Sequence, residues 1–476
     1  MEIELVPMLV YLLAGLLLGL MLPILRGGKA SAAKKIIPGL APSDPQKGNL
    51  GDMAQAGSFH DFLCKNHARF GPLFTFWWAD KQVCAIGHPE YFKCIQTLHT
   101  RPYIFKFLEP LITKKSLLYS NKEEYFRRKA NYIDPAFLGR TISMQGDAIS
   151  AILRDDYLPQ WKKLAQSGEK LVTNNYFLEL SIKVITRFAL GEIFSDQQYI
   201  TDINEADNLY WKYIEKANRG QIDASVQDLI KQSLGKLQAV CKSIIAHRRA
   251  QQPTEKKIFI DYLLNEEDAD LHICELITVF IAGFHTSGTL LSWIMYDLCR
   301  HPALQAEIQK EIDEKCAGSG EVLSLEEAGK LEKLRNVIDE SLRLHALVMF
   351  QARFGEEDVK FPDDYVVPAG MPIIISEGKV NLDNGIFKDA GEYLPARFET
   401  SEGRDPVAFT PFGYAGKRSC PGKLLAYAEE TIVLGTFFKH FNVRFHETQT
   451  LPVLPEYQIV TVQKADVVVV IEPRRR

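Results

Sequence analysis

Paired cysteines of the kind that bind zinc or exchange disulfides are missing from this chain. It has 476 residues and only eight cysteines, and no Cys-x-x-Cys pair occurs, which argues against a zinc ribbon or a thioredoxin-like site. An even number of scattered cysteines in a long chain is weak evidence for disulfides. We therefore expect a reducing compartment, in which most of the cysteines act as small buried hydrophobic residues. The cysteines are Cys64, Cys84, Cys94, Cys241, Cys274, Cys299, Cys316 and Cys420.

An excess of charge of either sign is also absent, and no internal repeat is found. The formal net charge is −4 and the pI is near 6.3, whereas a nucleic-acid-binding chain is usually basic. We therefore expect no nucleic-acid partner. With 46% hydrophobic and 24% charged residues, the composition is that of a globular protein that can bury a large core.

One long apolar run stands at the N-terminus. Leu5 to Leu25 holds 21 residues without a charge, which is about enough to span a bilayer. Basic residues follow the run, so the positive-inside rule places its C-terminal side in the cytosol. A cleaved signal peptide would be shorter and would begin with basic residues. A buried core helix would not be followed at once by a basic cluster. We therefore predict a membrane anchor with its basic flank in residues 1–36, in contact with membrane lipid.

The remaining chain is predicted to form one domain, residues 48–476, after a proline-rich linker, residues 37–47. Repeated proline prevents a helix from continuing and stiffens the linker. Residues 121–310 are mainly helical by pattern, and residues 272–300 are apolar on nearly every side, which predicts a long buried helix. Residues 74–86 predict a β-hairpin. The predicted fold class is therefore mainly α with small β-sheets.

The segment richest in chemistry surrounds Cys420. Three glycines let the backbone turn tightly around this cysteine, and a helix is predicted directly after it. A cysteine at a helix N-terminus is favoured as a thiolate, and Lys417 and Arg418 add positive charge nearby. Haem iron needs such an anionic sulfur as axial ligand for cleavage of an O–O bond. The alternative is a structural cysteine in a glycine-rich turn. The glycines are Gly413, Gly416 and Gly422.

The same segment resembles the cysteine-ligand loop of the cytochromes P450, Phe-x-x-Gly-x-Arg-x-Cys-x-Gly. The resemblance implies the cytochrome P450 fold, haem b as cofactor and Cys420 as the iron ligand. Phe412 lies one residue upstream of the family's phenylalanine, as if Ala415 were inserted. The other motif positions are occupied by Gly416, Arg418, Cys420 and Gly422.

A second motif of the same family lies upstream of this loop. Glu340 and Arg343 form a Glu-x-x-Arg pair on one predicted helix face, and Arg397 follows in Pro-Ala-Arg-Phe. The resemblance implies a structural triad in which Glu340 lies between two guanidinium groups and fixes the loop that carries the ligand. The alternative is an ordinary surface pair.

A third motif lies midway along the predicted buried helix, from Ala282 to Ser287, and resembles Ala/Gly-Gly-x-Asp/Glu-Thr. The resemblance implies that Ala282 and Gly283 let haem and dioxygen approach, and that Thr286 donates a hydrogen bond that helps to deliver protons. His285 stands where most members carry an acid, although an imidazole can also relay protons. Two alternatives are that Thr286 only bonds the preceding turn and that ordinary monooxygenation is weakened.

Residues 121–137 resemble the helix that holds a haem propionate in the family, although its tryptophan is absent. Tyr125 or Phe126 stands near the tryptophan position, and Lys129 ends the basic run that follows. The alternative is a solvated basic helix face. Arg353, in a strand-like stretch, is a second propionate candidate.

The resemblance covers the whole body and is strongest to the animal orphan family twenty, through stretches such as residues 57–63 and 69–72. It implies a monooxygenase that inserts one oxygen atom from O₂ into an apolar small molecule. Electrons would come from an NADPH-dependent flavoprotein reductase. The protein would be held by a single pass in the endoplasmic reticulum membrane, with the catalytic domain in the cytosol.

Two other functions stay open at this point. One is a haem-thiolate isomerase or dehydratase, which would need neither a reductase nor an acid beside Thr286. The other is a haem-binding sensor without turnover. Loops near residues 101–118 and 347–351 are expected to line an apolar pocket. A basic face is expected to receive an acidic reductase; its residues are Arg127, Arg128, Lys129, Lys417 and Lys423.

Overall fold

The computed structural model describes residues 35–102, 112–138, 140–191, 197–218, 224–251, 257–402, 405–414, 416–457 and 460–474. Helices dominate this part of the chain, and small β-sheets accompany them. The predicted fold class, mainly α with small β-sheets, is therefore confirmed. Residues 1–34 of the predicted membrane anchor lie outside the described residues.

The helices are named here in chain order. The first nine are α1 (Leu50–Gln55), α2 (Phe59–Phe70), α3 (Pro89–Lys93), α4 (Lys122–Arg128), α5 (Asp134–Phe137), α6 (Arg140–Ile152), α7 (Leu158–Ser167), α8 (Thr173–Leu190) and α9 (Gln197–Asn218). They are followed by α10 (Ala224–Ala250), α11 (Phe259–Leu263), α12 (Ala269–Arg300), α13 (Pro302–Lys315), α14 (Leu325–Ala328), α15 (Glu332–His345), α16 (Glu377–Asn381) and α17 (Lys423–His440).

The strands are short and form separate sheets. They are β1 (Leu73–Trp78), β2 (Lys81–Ile86), β3 (Lys170–Val172), β4 (Gln351–Arg353), β5 (Val359–Lys360), β6 (Val366–Val367), β7 (Ile373–Ile375), β8 (Phe441–Phe445), β9 (Pro455–Tyr457), β10 (Thr461–Gln463) and β11 (Val468–Pro473). The largest sheet has the order β1-β2-β7-β4, and a second has the order β3-β11-β8. The pairs β5–β6 and β9–β10 complete the set in the described residues.

The predicted hairpin is confirmed as β1 and β2, which pair antiparallel from Leu73 opposite Ile86 to Trp78 opposite Lys81. Its aromatic residues supply the large side chains that a buried sheet face favours. The proline-rich segment before it lies along β1: the Leu40 N–H donates to the Thr75 carbonyl at 2.8 Å. The first residues of the proline-rich segment (residues 37–47) are thus hydrogen-bonded to the edge of the sheet.

The long helix predicted from the apolar pattern is confirmed as α12. Asp268 caps its first turn by accepting hydrogen bonds from the N–H groups of Asp270 and Leu271, and its second half is buried almost all round. Within the described residues α12 is the one helix long and apolar enough to cross a membrane. However, it packs against α8 so closely that a Cβ on Gly288 would lie 2.8 Å from the Cα of Leu178. It is therefore the core helix of the body.

The helix predicted directly after Cys420 is α17, and it runs into the core. Gly435 lets it approach the hydrophobic side chains before α15, because an added Cβ would lie 2.8 Å from Leu323. The chain then turns into β8, which pairs with β11. Packing thus fixes the position of α17, and the first residues of α17 in turn fix the end of the loop that carries Cys420.

Candidate active site

The loop that carries Cys420 folds back on itself through its backbone. The Cys420 N–H donates to the Phe412 carbonyl at 2.8 Å, and the Gly413 N–H donates to the Thr410 carbonyl at 2.8 Å. Gly413 has a φ of +90° and Gly416 a φ of +39°, in the region that glycine adopts without steric cost. These turns bring one cysteine to the start of α17.

Opposing effects act on the Cys420 thiol. Its side chain is accessible to solvent, yet the surrounding protein raises the pKa of the thiol through burial. The N–H groups of Gly422 and Lys423 and the guanidinium of Arg101 oppose this and lower the pKa. The sequence predicted nearby charge from Lys417 and Arg418, whereas Arg101 is the cation that acts on the sulfur. A coordinated metal ion is a cation that would favour the ionised form of this sulfur.

Three guanidinium groups, those of Arg101, Arg353 and Arg418, lie close together, and Arg101 is the one that acts on Cys420. Arg353 and Arg418 are only 1% and 3% exposed. Burial, followed by repulsion from Arg101, lowers the pKa of both guanidinium groups to about 9. Among the described residues none of the three forms an ion pair with a carboxylate, and the Nε atoms of Arg353 and Arg418 have no hydrogen-bond partner. Buried positive charge is costly unless it is paired, so the cluster favours binding of an anionic group.

Haem b fits this set of residues. Its iron accepts a thiolate, and its propionates are anions of the kind that guanidinium groups bind with charge-assisted hydrogen bonds. Arg418 is already used in part, because its Nη1 donates to the His99 carbonyl at 2.7 Å and both Nη atoms donate to the Ser120 carbonyl at 3.2 Å. Arg353 keeps more of its donors available, because it donates only to the Ala352 carbonyl and to Gln351 Oε1 among the described residues.

Tyr125 and Lys129, the two residues predicted to lie on the propionate-binding helix, have different surroundings. The ring of Tyr125 lies 4.1 Å from the Arg418 guanidinium carbon, and its hydroxyl donates to the Lys417 carbonyl at 3.2 Å. Tyr125 thus belongs to the arginine cluster. Lys129 instead forms an ion pair with Asp134, because a π-helical turn from Lys129 to Ile133 interrupts the regular helix at that point.

Glu340, Arg343 and Arg397 meet in the structure. Glu340 and Arg343 are fully buried, and Arg343 binds both oxygens of Glu340 at 2.8 Å. The Nε of Arg397 donates to Glu340 at 3.0 Å. The backbone N–H of Leu394 adds a fourth hydrogen bond at 2.8 Å. The contacts exclude the alternative of a solvated surface pair and tie α15 to the segment before the ligand loop.

The motif on α12 presents two residues on one accessible face. Ala282 is exposed and Thr286 is half-buried, and the Thr286 hydroxyl donates to the Ala282 carbonyl at 2.8 Å. Gly283 faces α8, where an added Cβ would lie 2.5 Å from Ile185. The small size of Gly283 therefore serves helix packing rather than the approach of a ligand, and Ala282 with Thr286 remains as the pair facing the accessible side.

His285 lies away from that face. It is only 5% exposed, and its ring lies beside Phe284, with a distance of 6.1 Å between the two ring centroids. Burial lowers the pKa of the imidazole to about 4. His285 is therefore neutral at physiological pH, unlike the ionised acid that most family members carry at this position.

Phe412 is held against α17. Its ring packs on the Tyr427 ring with a centroid distance of 5.0 Å, and its carbonyl accepts the hydrogen bond of the Cys420 N–H. The one-residue shift of this phenylalanine relative to the family pattern is thus accommodated by a contact between the ligand loop and the helix after it.

Sequence reasoning missed several polar residues. Arg101 was placed only in a loop expected to line a pocket, and nothing in its neighbourhood marks it as a partner of Cys420; residues 103–111 of that loop lie outside the described residues. Glu429, on α17, is fully buried and accepts hydrogen bonds from Ser181 at 2.5 Å and from Ser287. Glu377 is also buried. The available signal was an acidic residue within an apolar pattern: Glu377 after the apolar run of β7, and the pair Glu429–Glu430 within α17.

Comparison with known proteins gives the family. The family model of cytochrome P450 matches residues 38–470. Cytochrome P450 20A1 of Bos taurus is 26% identical over 449 residues, which covers 92% of this chain and 93% of the bovine protein. The rat protein of the same name is 26% identical over 458 residues, covering 91% of this chain and 92% of the relative.

A relative from another branch matches over a shorter stretch. Human cytochrome P450 4F12 is 34% identical over 204 residues, covering 41% of this chain and 38% of that protein. The resemblance to family twenty that the sequence predicted is confirmed by the P450 20A1 relatives. With its domain matched from residue 38 to residue 470, the chain belongs to the cytochrome P450 family, and it is a monooxygenase with haem b as its cofactor.

Proposed function

We propose that Cys420 is the axial thiolate of the haem and that the enzyme oxygenates an apolar small molecule. The observation that carries this proposal is one cysteine in a glycine-rich turn at the start of α17, close to the half-buried Arg101 and to the buried Arg353 and Arg418, which have no carboxylate partner among the described residues. When bound, haem b supplies dioxygen activation and the transfer of one oxygen atom, and the protein supplies binding, orientation and proton delivery.

Arg101 and Arg353 are proposed to bind the propionates, with Arg418 in support. Burial lowers the pKa of all three guanidinium groups, and Arg101 repels Arg353 and Arg418. Bound propionates would convert this repulsion into charge-assisted hydrogen bonds. Arg418 would at the same time hold the loop before α4 through the carbonyls of Leu117 and Ser120.

Thr286 is proposed to deliver protons to the reaction that a bound haem would support. Its hydroxyl lies on the accessible face of α12 and donates to the Ala282 carbonyl. A rotation about its χ1 would release the hydroxyl from the Ala282 carbonyl and turn it to the accessible side of α12. His285 is neutral and buried, so we assign it a packing role and leave proton delivery to Thr286.

A flavoprotein reductase is proposed to dock near the ligand loop. Three of the five residues of the basic face expected from the sequence are neutralised by ion pairs. These pairs are Arg127 with Glu266, Arg128 with Glu124 and Glu275, and Lys129 with Asp134. Lys417 and Lys423 remain. A cleft of about 800 Å³ lies beside the loop, lined in part by Lys122, Phe126 and Lys417. An acidic patch on the reductase would complement these lysines.

The absence of an ionised acid beside Thr286 favours one further candidate. A haem-thiolate isomerase or dehydratase acts on an already oxidised substrate and needs no external proton delivery to dioxygen. Oxygen-independent turnover of a peroxide, without NADPH consumption, would identify this activity. Dioxygen-dependent NADPH consumption with added reductase would identify the monooxygenase.

The test of the ligand is Cys420→Ser. The variant is expected to lose the red-shifted absorption band of reduced, CO-bound thiolate haem, because serine cannot supply the sulfur. Cys94→Ser is the matched control, since Cys94 is half-buried and distant in sequence from the ligand loop, and it should keep the band. A Cys420→Ser protein with the band intact would show that another residue is the ligand.

A further inference from the structure

Glu377 is a buried carboxylate at the base of the ligand loop. It follows β7, begins α16 and is 6% exposed. Its Oε1 accepts hydrogen bonds from Gln351 Nε2 at 2.8 Å and from Thr410 Oγ1 at 3.3 Å. Two segments that are far apart in the chain, β4 and the start of the ligand loop, are thus joined at one oxygen atom.

Further hydrogen bonds connect Gln351 to the arginine cluster and Thr410 to the cysteine loop. Toward the arginine cluster, Arg353 Nη2 donates to Gln351 Oε1 at 3.0 Å. Toward the cysteine, Thr410 accepts from the Gly413 N–H, and the neighbouring Phe412 carbonyl accepts from the N–H of the cysteine itself. Gln351 also packs directly on the loop, because a Cβ on Gly413 would lie 2.9 Å from Gln351 Nε2.

The charge of Glu377 is unusual for its surroundings. Burial raises the pKa of the carboxyl to about 7. Arg353 is the cation that opposes this effect, and it does so across Gln351 rather than by direct contact. A glutamine would accept the same two hydrogen bonds at Oε1 without the cost of a buried charge. What the glutamate adds to these two bonds is a negative charge, in its ionised form, behind the Arg353 guanidinium.

We propose that Glu377 is a positioning residue for the haem: through Gln351 it orients Arg353, through Thr410 it fixes the loop that carries Cys420, and its charge adjusts the haem reduction potential. This inference rests on the proposed function, in which Arg353 binds a propionate and Cys420 binds the iron. Partners of this kind, outside the residues that touch the metal group, commonly fix the ligands and tune the metal.

Two substitutions separate the hydrogen bonds from the charge. Glu377→Ala removes both bonds, and haem transfer to an excess of apomyoglobin is expected to become about tenfold faster, with part of the thiolate CO band lost. Glu377→Gln keeps an oxygen for both donors, so haem transfer and the CO band should stay normal. Its midpoint potential, measured at about pH 8.5, where the wild-type carboxyl is ionised, should be more positive, because a negative charge that favours ferric haem is gone.

The controls are Gln351→Ala and Glu311→Gln. Gln351→Ala cuts the same chain and should accelerate haem transfer as Glu377→Ala does. Glu311 is equally buried but binds backbone N–H groups of Lys333 and Leu334, so Glu311→Gln should leave haem transfer and potential unchanged. Should Glu377→Ala fail to fold, Glu377→Gln and Gln351→Ala still decide the matter.

Two results distinguish failure of this inference from failure of the proposed function. Wild-type transfer rates in Glu377→Ala and Gln351→Ala, together with a wild-type potential in Glu377→Gln, would overturn the positioning role while the thiolate band remained. A wild-type protein that does not show the red-shifted CO band of thiolate haem would overturn the proposed function instead.

Discussion

Glu340→Ala is expected to destabilise the fold rather than to impair catalysis alone. The carboxylate is fully buried and accepts four hydrogen bonds, three of them from Arg343 and Arg397. Its removal leaves the guanidinium of Arg343, also fully buried, without an anion. Breaking a buried pair in this way costs about 3–5 kcal/mol, a large share of the roughly 5–15 kcal/mol that stabilises a domain.

The structure also sets an upper limit on this loss. Arg343 keeps three backbone acceptors, the carbonyls of Asn381, Ala390 and Glu392. The charge is therefore left without a counter-ion but not without hydrogen bonds, and we expect a loss near the lower end of that range. Glu340→Gln keeps one acceptor oxygen in the same place and should lose less than Glu340→Ala.

The assay is urea unfolding combined with haem content per polypeptide. Glu340→Ala should lower the unfolding midpoint and yield protein that is largely free of haem. The control is Glu472→Ala, which breaks the exposed pair with Arg444 and should cost no more than about 1 kcal/mol. A Glu340→Ala protein with the stability of the control and full haem content would refute the reasoning.

Three further predictions concern the charges and the anchor. Arg101→Gln should weaken haem binding and raise the thiol pKa of Cys420, because the cation that lowers it is lost; an unchanged haem dissociation rate would contradict this. His285→Asn should leave the coupling of NADPH oxidation to product unchanged between about pH 6 and 8, since the imidazole is neutral there. The pKa of His285 is about 4 in the folded protein and about 6.5 in the unfolded chain, so the neutral imidazole contributes stability above about pH 6.5 that is lost as the pH falls toward 4. The variant should lack this pH dependence when its stability is measured during acid titration. Deleting residues 1–36 should give a protein that is released from membranes by high salt or alkali and still binds haem, and integral attachment of the truncated form would exclude a single anchor.

Periodicity predicted the large elements well. The long apolar pattern around Thr286 became α12, and the alternating aromatic residues became the β1–β2 hairpin, because in both cases one local pattern corresponds to one buried surface. The glycine-rich loop was equally readable, since Gly413 and Gly416 adopt backbone angles that other residues avoid.

Contacts between segments that are distant in the chain could not be predicted from local sequence patterns. Arg101 reaches the cysteine, and Gln351 reaches Glu377, only after the chain has folded, and neither residue has a local pattern that indicates a partner. The position of Lys129 was missed for a different reason: the π-helical turn that begins there changes the register that a regular helix would have kept. Burial, rather than neighbouring charge, decides the pKa of His285.

The docking of residues 38–40 on β1 shortens the tether between the catalytic body and the predicted anchor. Twelve residues, 26–37, lie between Leu25 and Pro38, and the fully extended chain from Leu25 to Pro38 reaches at most about 45 Å. With residues 1–36 anchored as predicted, the body would stay near the bilayer and could not turn freely above it, since the tether joins the body at one edge of the sheet. Apolar substrates dissolved in the membrane and a reductase anchored in the same membrane would both be met at a restricted height and orientation.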